Sequence, residues 1–541
     1  MRLAMSDYAD AYRRFAWQVP PDFNFGSDVI DELARDPARL ALIWCDESGE
    51  ERRRTFADIS RVSNRCANLL QSLGIRRGDR VIVMLPRLPE WQIAMLGCIK
   101  LGAIPIPCID MLTAGDVAYR IQHSGARGAI TTAANVGKFN GPWTFAAGIS
   151  IGTAEGWTEF ECGLEQSADD FKPARLAADE PAIIFYTSGS TGKPKGVTHA
   201  SRALFAWRVS AWFWPALTGK DLIWCTADTG WSKAGTSILF GPWSCGSAVL
   251  FYKGRFDAEQ RFALLEKYKV TVFCAAATEF RQLILKDAHQ YDLSSLRLAI
   301  SAGETVNPEI IERWRALTGV ALLDGYGQTE TLMTVLNYPA MPMKPGSMGR
   351  PLPGTHITVL DKDNQPAKPG EAGRLMIRLP NPQLMLGYWN DPELTRAAIV
   401  RHDDAEWFDS GDLVKSDSDG YVFYLGRADD LINSAGYRIG PVEVENALME
   451  HAAVQECAVV ASPDADRGEV VKAFIILRPG ITGDDALAQE IQEHVKRATA
   501  PYKYPRKIEF VDQLPKTATG KIQRRMLRDR EFAIAARRTG T

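Results

Sequence analysis

Between residues 79 and 108 the chain reads DRVIVMLPRLPEWQIAMLGCIKLGAIPIPC, and its apolar positions change period twice. The run from Val81 to Leu85 is continuous and ends at Pro86, as in a strand buried on both faces. Trp91, Ala94, Met95, Cys98 and Leu101 then recur at helical spacing, and Ile104 to Ile106 begins a second short run. Strand, helix and strand in this order predict a βαβ unit, hence a parallel sheet covered by helices. The segments DLIWC, AVLFY and VTVFCAA repeat the short buried-strand pattern around residues 221 to 277, with helical segments between them. A further strand, LRLAIS, ends at Ser301 and runs into AGETVNP. Ligands of open α/β sheets bind beyond the C-terminal ends of the strands, which makes this loop a candidate site.

After about residue 340 the texture changes: DKDNQPAKPGEAGRLMIRL and DLVKSDSDGYVFYLGR are short strands joined by Gly, Asp and Pro turns, predicting an antiparallel subdomain. Beyond GRADD (426–430), the strands AAVQECAVVAS, GEVVKAFIIL and KIEFVDQ surround a helix over Asp484 to Thr499. The expected architecture is multi-domain α/β. A large N-terminal domain (1–428) carries βαβ-type parallel sheets and the antiparallel subdomain, and a small α+β domain (429–541) follows.

Length agrees, because 541 residues exceed the roughly 250–300 at which single cores stop growing. A formal net charge of −3 gives no global attraction to nucleic acid or membrane. Nine cysteines occur without a C-x-x-C pair, so neither a disulfide framework nor a zinc site is expected. The early charges of MRLAMSDYADAYRRFAW do not read as a secretion signal, and no run approaches the ~18 apolar residues of a membrane span. The expectation is a cytoplasmic protein without a membrane span.

One stretch is built to touch phosphate: FYTSGSTGKPKGVTHA (185–200). It is not a P-loop. Only Ser190 and Thr191 separate Gly189 from Gly192, and Pro194 follows Lys193 where a P-loop has a magnesium-binding hydroxyl. The chemistry remains suitable: glycines let backbone N–H groups approach an anion, Thr187, Ser188, Ser190 and Thr191 add hydroxyls, and Lys193 and Lys195 add charge. On composition alone the stretch reads equally as a polar turn.

Four more stretches offer chemistry. In LLDGYGQTE (322–330), Tyr326 presents a flat face, Thr329 a hydroxyl and Glu330 a carboxylate suited to Mg²⁺. In WFDSGDLV (407–414), Asp412 suits the paired hydroxyls of a ribose. In GRADDLINSAGYRIGPVEVE (426–445), Arg427 and Arg438 stand among glycines at the expected domain boundary. In LPKTATGKIQRRML (514–527), Lys521 follows a Thr-Gly turn. Each has a plainer reading as a turn residue or surface charge.

Together the five stretches resemble, in order and spacing, the core motifs of the adenylate-forming enzymes: acyl-CoA synthetases, firefly luciferases and peptide-synthetase adenylation domains. The resemblance runs from about residue 40 to 530. DTGWSKAGTSILFGPWSCG (228–246) and KPGSMGRPLPG (344–354) look like the versions found in medium-chain acyl-CoA synthetases. The resemblance implies a carboxylic acid, ATP, Mg²⁺ and coenzyme A as reactants and cofactors. An acyl-adenylate and pyrophosphate form first, and the acyl group then passes to coenzyme A. It implies that 187–196 (Thr187, Ser188, Gly189, Ser190, Thr191, Gly192, Lys193 and Lys195) embrace the β- and γ-phosphates. Gly303, Glu304, Thr305, Asp324, Gly325 and Tyr326 would serve the adenine side, Thr329 the α-phosphate and Glu330 the Mg²⁺. Asp412 and Arg427 would hold the ribose, with Arg438 also at the nucleotide. Lys521 would bridge carboxylate and α-phosphate during adenylation. The C-terminal domain would be mobile, turning about Asp429 to bring Gly436 and Tyr437 to a coenzyme A channel. A carboxylate is already ionised at neutral pH, so no catalytic histidine is expected.

The resemblance leaves the acid open. Trp231, Lys233, Gly303 and Gly327 are expected to shape an acyl pocket. Gly327 stands where acetate-specific members carry Trp, so space for a longer or branched acid is expected there, each buried methylene being worth ~0.8 kcal/mol. A benzoate-like acid is an alternative, as are an enzyme that loads a carrier protein and a nucleotide-binding regulator without catalysis. Lys521 is also a place where an acetyltransferase and deacetylase would switch the charge.

Overall fold

A computed structural model describes residues 5–187, 193–434, 437–464, 467–499, 502–516 and 522–539. It is an α/β protein with the expected mixture of parallel and antiparallel sheets. The largest sheet has nine strands, and six adjacent strands run parallel: Leu322–Gln328, Leu298–Ala302, Val272–Cys274, Leu222–Cys225, Ala248–Lys253 and Leu40–Asp46. An antiparallel strand borders each side of this set, Leu332–Leu336 and Glu51–Thr55. The βαβ unit read from residues 79–108 is present as Arg80–Met84, helix Pro89–Leu101 and Ile104–Cys108. It lies in a second, wholly parallel sheet of five strands.

The helix Pro89–Leu101 is apolar around nearly its whole circumference, because it is buried between layers. Its one cation, Lys100, is fully buried with its ammonium 2.6 Å from Asp31 and 2.6 Å from the Asn64 amide oxygen. Burial lowers the Lys100 pKa, and the Asp31 carboxylate opposes that shift. Trp44, Trp91, Trp207, Phe240 and Trp243 belong to the large core on one face of the nine-stranded sheet. A second core, with Phe262, Phe273, Phe280 and Trp314, fills the other face under helices Ala258–Tyr268, Ala277–Leu283 and Pro308–Thr318.

Two smaller sheets complete the site region. One has three strands, Pro181–Thr187, Lys195–Ala200 and Gly387–Tyr388, all antiparallel. The other is the antiparallel subdomain: Ile357–Leu360, Ala372–Arg378, Ala405–Ser416, Ile399–His402 and Val422–Arg427.

From Ile432 onward the strands form their own five-stranded sheet, in which Lys507–Phe510 runs parallel to Gly468–Leu477. Helix Asp485–Ala498 occupies the expected segment. The hydrophobic clusters of this unit draw only on residues from 432 onward. It meets the rest of the chain where helix Pro441–Met449 packs on strand Val422–Arg427, and through polar groups: Arg281 is 3.5 Å from Glu456, and the Asn307 amide reaches Asn446 at 3.4–3.5 Å. Glu456 also pairs with Lys516, at 2.9 Å.

Candidate functional site

Strands Lys195–Ala200, Leu322–Gln328 and Ala405–Ser416 bring candidate residues together near the end of the parallel strands of the large sheet. Leu298–Ala302 passes into Gly303, whose φ of +98° is a conformation that glycine adopts without strain. Glu304 then accepts a hydrogen bond from the Thr278 N–H at 2.8 Å. The neighbouring strand Leu322–Gln328 turns through Thr329 and Glu330 into Leu332–Leu336. Asp324 lies at the base of that hairpin and is buried, its carboxyl facing the N–H groups of Val306 (3.3 Å) and Gly325 (2.9 Å). Burial pushes its pKa up to about 8 despite those bonds.

Across the hairpin stands Asp412, on the long strand Ala405–Ser416, with its side chain 4% exposed. Tyr326 donates its hydroxyl to Asp412 Oδ2 at 2.5 Å, and Gln328 donates its amide to the same oxygen at 2.6 Å. Arg427 approaches Oδ1 at 3.2 Å from the antiparallel partner strand, where it is the register mate of Asp412. Burial raises the Asp412 pKa, while Arg427, Tyr326 and Gln328 oppose the shift. A diol arriving at this carboxylate therefore exchanges donors with residues already there. The same bond fixes the Tyr326 ring, which lies 6.3 Å from Tyr424 at 33°. The Arg427 guanidinium is also 3.7 Å from Asp429, whose carbonyl accepts from Arg528.

The Thr329–Glu330 turn is held from four directions. His199, fully buried, donates Nε2–H to the Thr329 carbonyl at 2.6 Å. Met385 N–H donates to the Glu330 carbonyl at 2.8 Å, and the Tyr388 hydroxyl to Glu330 Oε1 at 3.0 Å. The Thr329 hydroxyl meets that of Ser232 at 3.2 Å. Among the described residues no cluster of three or more His, Cys, Asp or Glu side chains could cage a metal. One carboxylate does fit Mg²⁺, which keeps most of its waters and bridges substrate phosphates. Glu330 is the residue that would hold it.

Burial lowers the His199 pKa from 6.5 to about 4. Its Nδ1 is buried without a partner, so protonation would place a charged donor there with nothing to receive it.

Thr187 ends its strand opposite Lys195, and the ammonium groups of Lys195 and Lys193 lie over the rings of Tyr388 (5.3 Å) and Tyr119 (6.0 Å). Ser188, Gly189, Ser190, Thr191, Gly192, Gly436 and Lys521 lie outside the described residues, as do the side chains of Tyr437 and Arg438. The backbone of 437–439 forms a short strand paired with 432–434.

Lys233 reaches the carbonyl oxygens of Ala302 (3.0 Å) and Ala275 (3.4 Å), beside Gly303. Burial works against its charge, but Cys274, Cys225, Glu304 and Glu279 raise its pKa above the ordinary amine value. Trp231 is half-buried two residues earlier.

The expectation that Gly327 leaves open space is corrected. A Cβ there would stand 1.9 Å from the Leu332 carbonyl oxygen and 2.8 Å from the Met333 Cα. The register of the hairpin shifts between Tyr326 and Gly327, and the two backbones approach too closely for a side chain at 327. This glycine serves hairpin packing, and a tryptophan would require the hairpin to be rebuilt.

Sequence reasoning also missed His199, Gln328, Tyr388 and Ser232. His199, Gln328 and Ser232 sit inside quoted stretches, where a buried polar residue in a strand and an amide beside the turn were the available signals for the first two. Ser232 and Tyr388 meet the turn only through the fold.

This geometry can be set beside known proteins. The family profile "AMP-binding enzyme" matches residues 30–389, and "AMP-binding enzyme C-terminal domain" matches 443–521. The chain belongs to the AMP-binding enzyme family. It is 40% identical over 552 residues to the mitochondrial acyl-coenzyme A synthetase ACSM3 of Mus musculus, covering 97% of this chain and 94% of the relative. It is 40% identical over 523 residues to the uncharacterized acyl-CoA ligase YtcI of Bacillus subtilis (strain 168), covering 96% and 98%. Among solved structures, the anthranilate CoA ligase AuaEII in complex with anthranoyl-AMP superposes with a TM-score of 0.87 at 32% identity, covering 96% and 99%. These similarities put the chain in the acyl-CoA synthetase branch, with its medium-chain members among the near relatives, and make it an AMP-forming acid–thiol ligase that uses ATP, Mg²⁺ and coenzyme A.

Two expectations follow. Gly327→Ala should destabilise the protein by about 1–3 kcal/mol, as overpacking does, and slow acid-dependent pyrophosphate release at least about tenfold. Wild-type values in both would mean that the hairpin yields freely. For His199 the folded pKa lies below the unfolded one, so its share of stability is complete above pH 6.5 and is lost as pH falls toward about 4. Between pH 7.5 and 5, urea unfolding of wild type should lose about 2 kcal/mol that His199→Gln does not lose.

Proposed function

We propose that this AMP-forming acyl-CoA synthetase activates a short- or medium-chain or branched carboxylic acid, with the ribose held at Asp412 and the reacting phosphates at the Thr329–Glu330 turn. The observation that carries this reading is the convergence of Tyr326, Gln328 and Arg427 on one buried carboxylate beside that turn.

The substrate carboxylate and the triphosphate are both anionic. Attack of a carboxylate oxygen on the α-phosphorus forms the acyl–phosphate bond and breaks the bond to the departing pyrophosphate. Cations and oriented donors lower the barrier by offsetting charge as it crowds. In this reading Thr187, Lys193 and Lys195 belong to the cradle of the leaving pyrophosphate, with Ser188, Gly189, Ser190, Thr191 and Gly192. The Thr329 hydroxyl meets the α-phosphate. Mg²⁺, when bound, would supply charge neutralisation between phosphates, and Glu330, steadied by Tyr388, would hold it through its carboxylate. Gly303, Glu304, Thr305, Asp324, Gly325 and Tyr326 line the adenine. Lys521 contributes the cation between acid and α-phosphate. In the second step the coenzyme A thiolate attacks the acyl carbon, forming the thioester and releasing AMP.

The final unit, from about residue 429, is proposed to turn about Asp429 between the steps, bringing Gly436 and Tyr437 to the coenzyme A channel in place of Lys521. Trp231, Lys233 and Gly303 form the acyl pocket. Acetylation of Lys521 would remove its charge, and a cytoplasmic setting suits cysteines that form no disulfide among the described residues. No helix among the described residues is long and apolar enough to cross a membrane. The likeness to the anthranilate CoA ligase favours an aromatic acid as the second reading.

A panel of acetate, butyrate, isobutyrate, hexanoate, benzoate and anthranilate, assayed for acyl-CoA formation, separates these readings. A kcat/KM highest for butyrate, isobutyrate or hexanoate is expected, and a preference for the aromatic acids would replace the first reading by the second. Lys521→Ala should lose adenylation by at least about a hundredfold, as removal of a transition-state charge partner does, yet form thioester from supplied acyl-adenylate nearly as wild type. Equal loss in both steps would remove Lys521 from its assigned role.

A further inference from the structure

His199 takes no part in the mechanism above, yet it is the buried side chain that ties two of its parts together. It lies on Lys195–Ala200, the strand that leaves the phosphate-binding stretch, and is paired across the hairpin with Ile183. The ring packs between Phe185 (6.5 Å between centroids) and Trp207 (5.9 Å). Its Nε2 is 2.6 Å from the Thr329 carbonyl, across 130 residues of sequence. A carbonyl only accepts, so Nε2 carries the proton and Nδ1 is bare. Nδ1 is buried with no hydrogen-bond partner. An apolar ring would fill this space without a bare Nδ1 but would leave the Thr329 carbonyl without its donor, so it is the bond and not packing alone that accounts for an imidazole here.

The same strand is bonded on its other side to the segment that steadies Glu330. Leu386 N–H donates to the Thr198 carbonyl at 2.8 Å and Trp389 N–H to the Gly196 carbonyl at 2.7 Å, which sets Tyr388 and Met385 against Glu330. Three of the turn's four anchors thus belong to the three-stranded sheet or its immediate extension, and only Ser232 comes from elsewhere. The sheet holds the Thr329–Glu330 turn at its flank, and its strands Pro181–Thr187 and Lys195–Ala200 border the stretch assigned above to the pyrophosphate.

We propose that His199 is a positioning residue for adenylate formation: its Nε2–H bond to the Thr329 carbonyl fixes the turn relative to the strand leaving the phosphate-binding stretch, so that both grip one triphosphate in register. The proposal rests on the roles assigned above to Thr329 and Glu330. The neighbouring cation on this strand–helix connection, Arg202, opposes protonation, and burial does so more strongly. The imidazole therefore acts as a neutral donor and not as a proton carrier.

Two substitutions separate bond from packing. His199→Gln keeps an N–H at the position of Nε2 and loses the ring, whereas His199→Phe keeps the ring and loses the donor. The readouts are carboxylate-dependent pyrophosphate–ATP exchange over a Mg²⁺ series, thioester formation from synthetic butyryl-adenylate, and thermal unfolding. For His199→Phe, exchange should fall about tenfold and its half-maximal Mg²⁺ concentration should rise several-fold, the scale of one buried hydrogen bond. Thioester formation should change less than about threefold. His199→Gln should stay within about threefold of wild type in all three, because a neutral donor is retained. The proposal is overturned if His199→Phe matches or exceeds His199→Gln, if both half-reactions fall together, or if neither variant folds, which would make the residue structural. Absence of carboxylate-dependent exchange in wild type would instead defeat the assigned adenylation chemistry, and the positioning role with it.

Discussion

A carboxylate buried as deeply as that of Asp412 must be met by donors, because an ion withdrawn from water without partners is costly. Here the donors come from two sheets. Tyr326 and Gln328 arrive on the last parallel strand of the nine-stranded sheet, whereas Arg427 arrives on the antiparallel subdomain. The demand for partners therefore fixes how the two sheets meet, and with that the placement of everything on the Thr329–Glu330 turn.

The turn itself is over-determined. Two of its carbonyl groups, one hydroxyl and one carboxylate oxygen are engaged by four residues from three different segments. Such anchoring suits a site whose chemistry needs placement more than proton transfer, since misplacement by even 1 Å weakens a reaction that depends on alignment. Gly327 belongs to the same scheme: the close approach of the backbones at the base of the turn leaves no room for a Cβ.

Much of the fold could be read from the chain, because buried parallel strands announce themselves as short apolar runs and the connecting helices as a change of period. The βαβ unit near residue 90 and the helix near residue 490 lie within a few residues of their expected bounds. The chain marks Tyr326, Thr329, Glu330 and Asp412 as candidates because they stand in contiguous motifs, and the fold sets Tyr326 against Asp412. The candidate site was illegible where a role depends on contact across the fold. Tyr388 reaches Glu330 over 58 residues, and nothing local to either announces it. His199 was passed over because an ionised acid needs no general base, an argument that excludes one role for a histidine and not the others. Gly327 was misread for the opposite reason: a missing side chain signals space only where the Cβ vector points into a pocket, and here it points at a neighbouring carbonyl.

The unit that begins at Ile432 has its own apolar clusters, and its contacts with the rest include polar pairs such as Arg281–Glu456 and Asn307–Asn446 as well as the packing of helix Pro441–Met449 on strand Val422–Arg427. Polar pairs of this kind lose little when they part, because water takes the place of each partner. The Arg281–Glu456 attraction is further weakened as the Debye length falls from about 10 Å at 0.1 M salt to 3 Å at 1 M. Ionic strength is thus a handle on how tightly the last unit is held, and it can be turned without altering a single residue at the nucleotide.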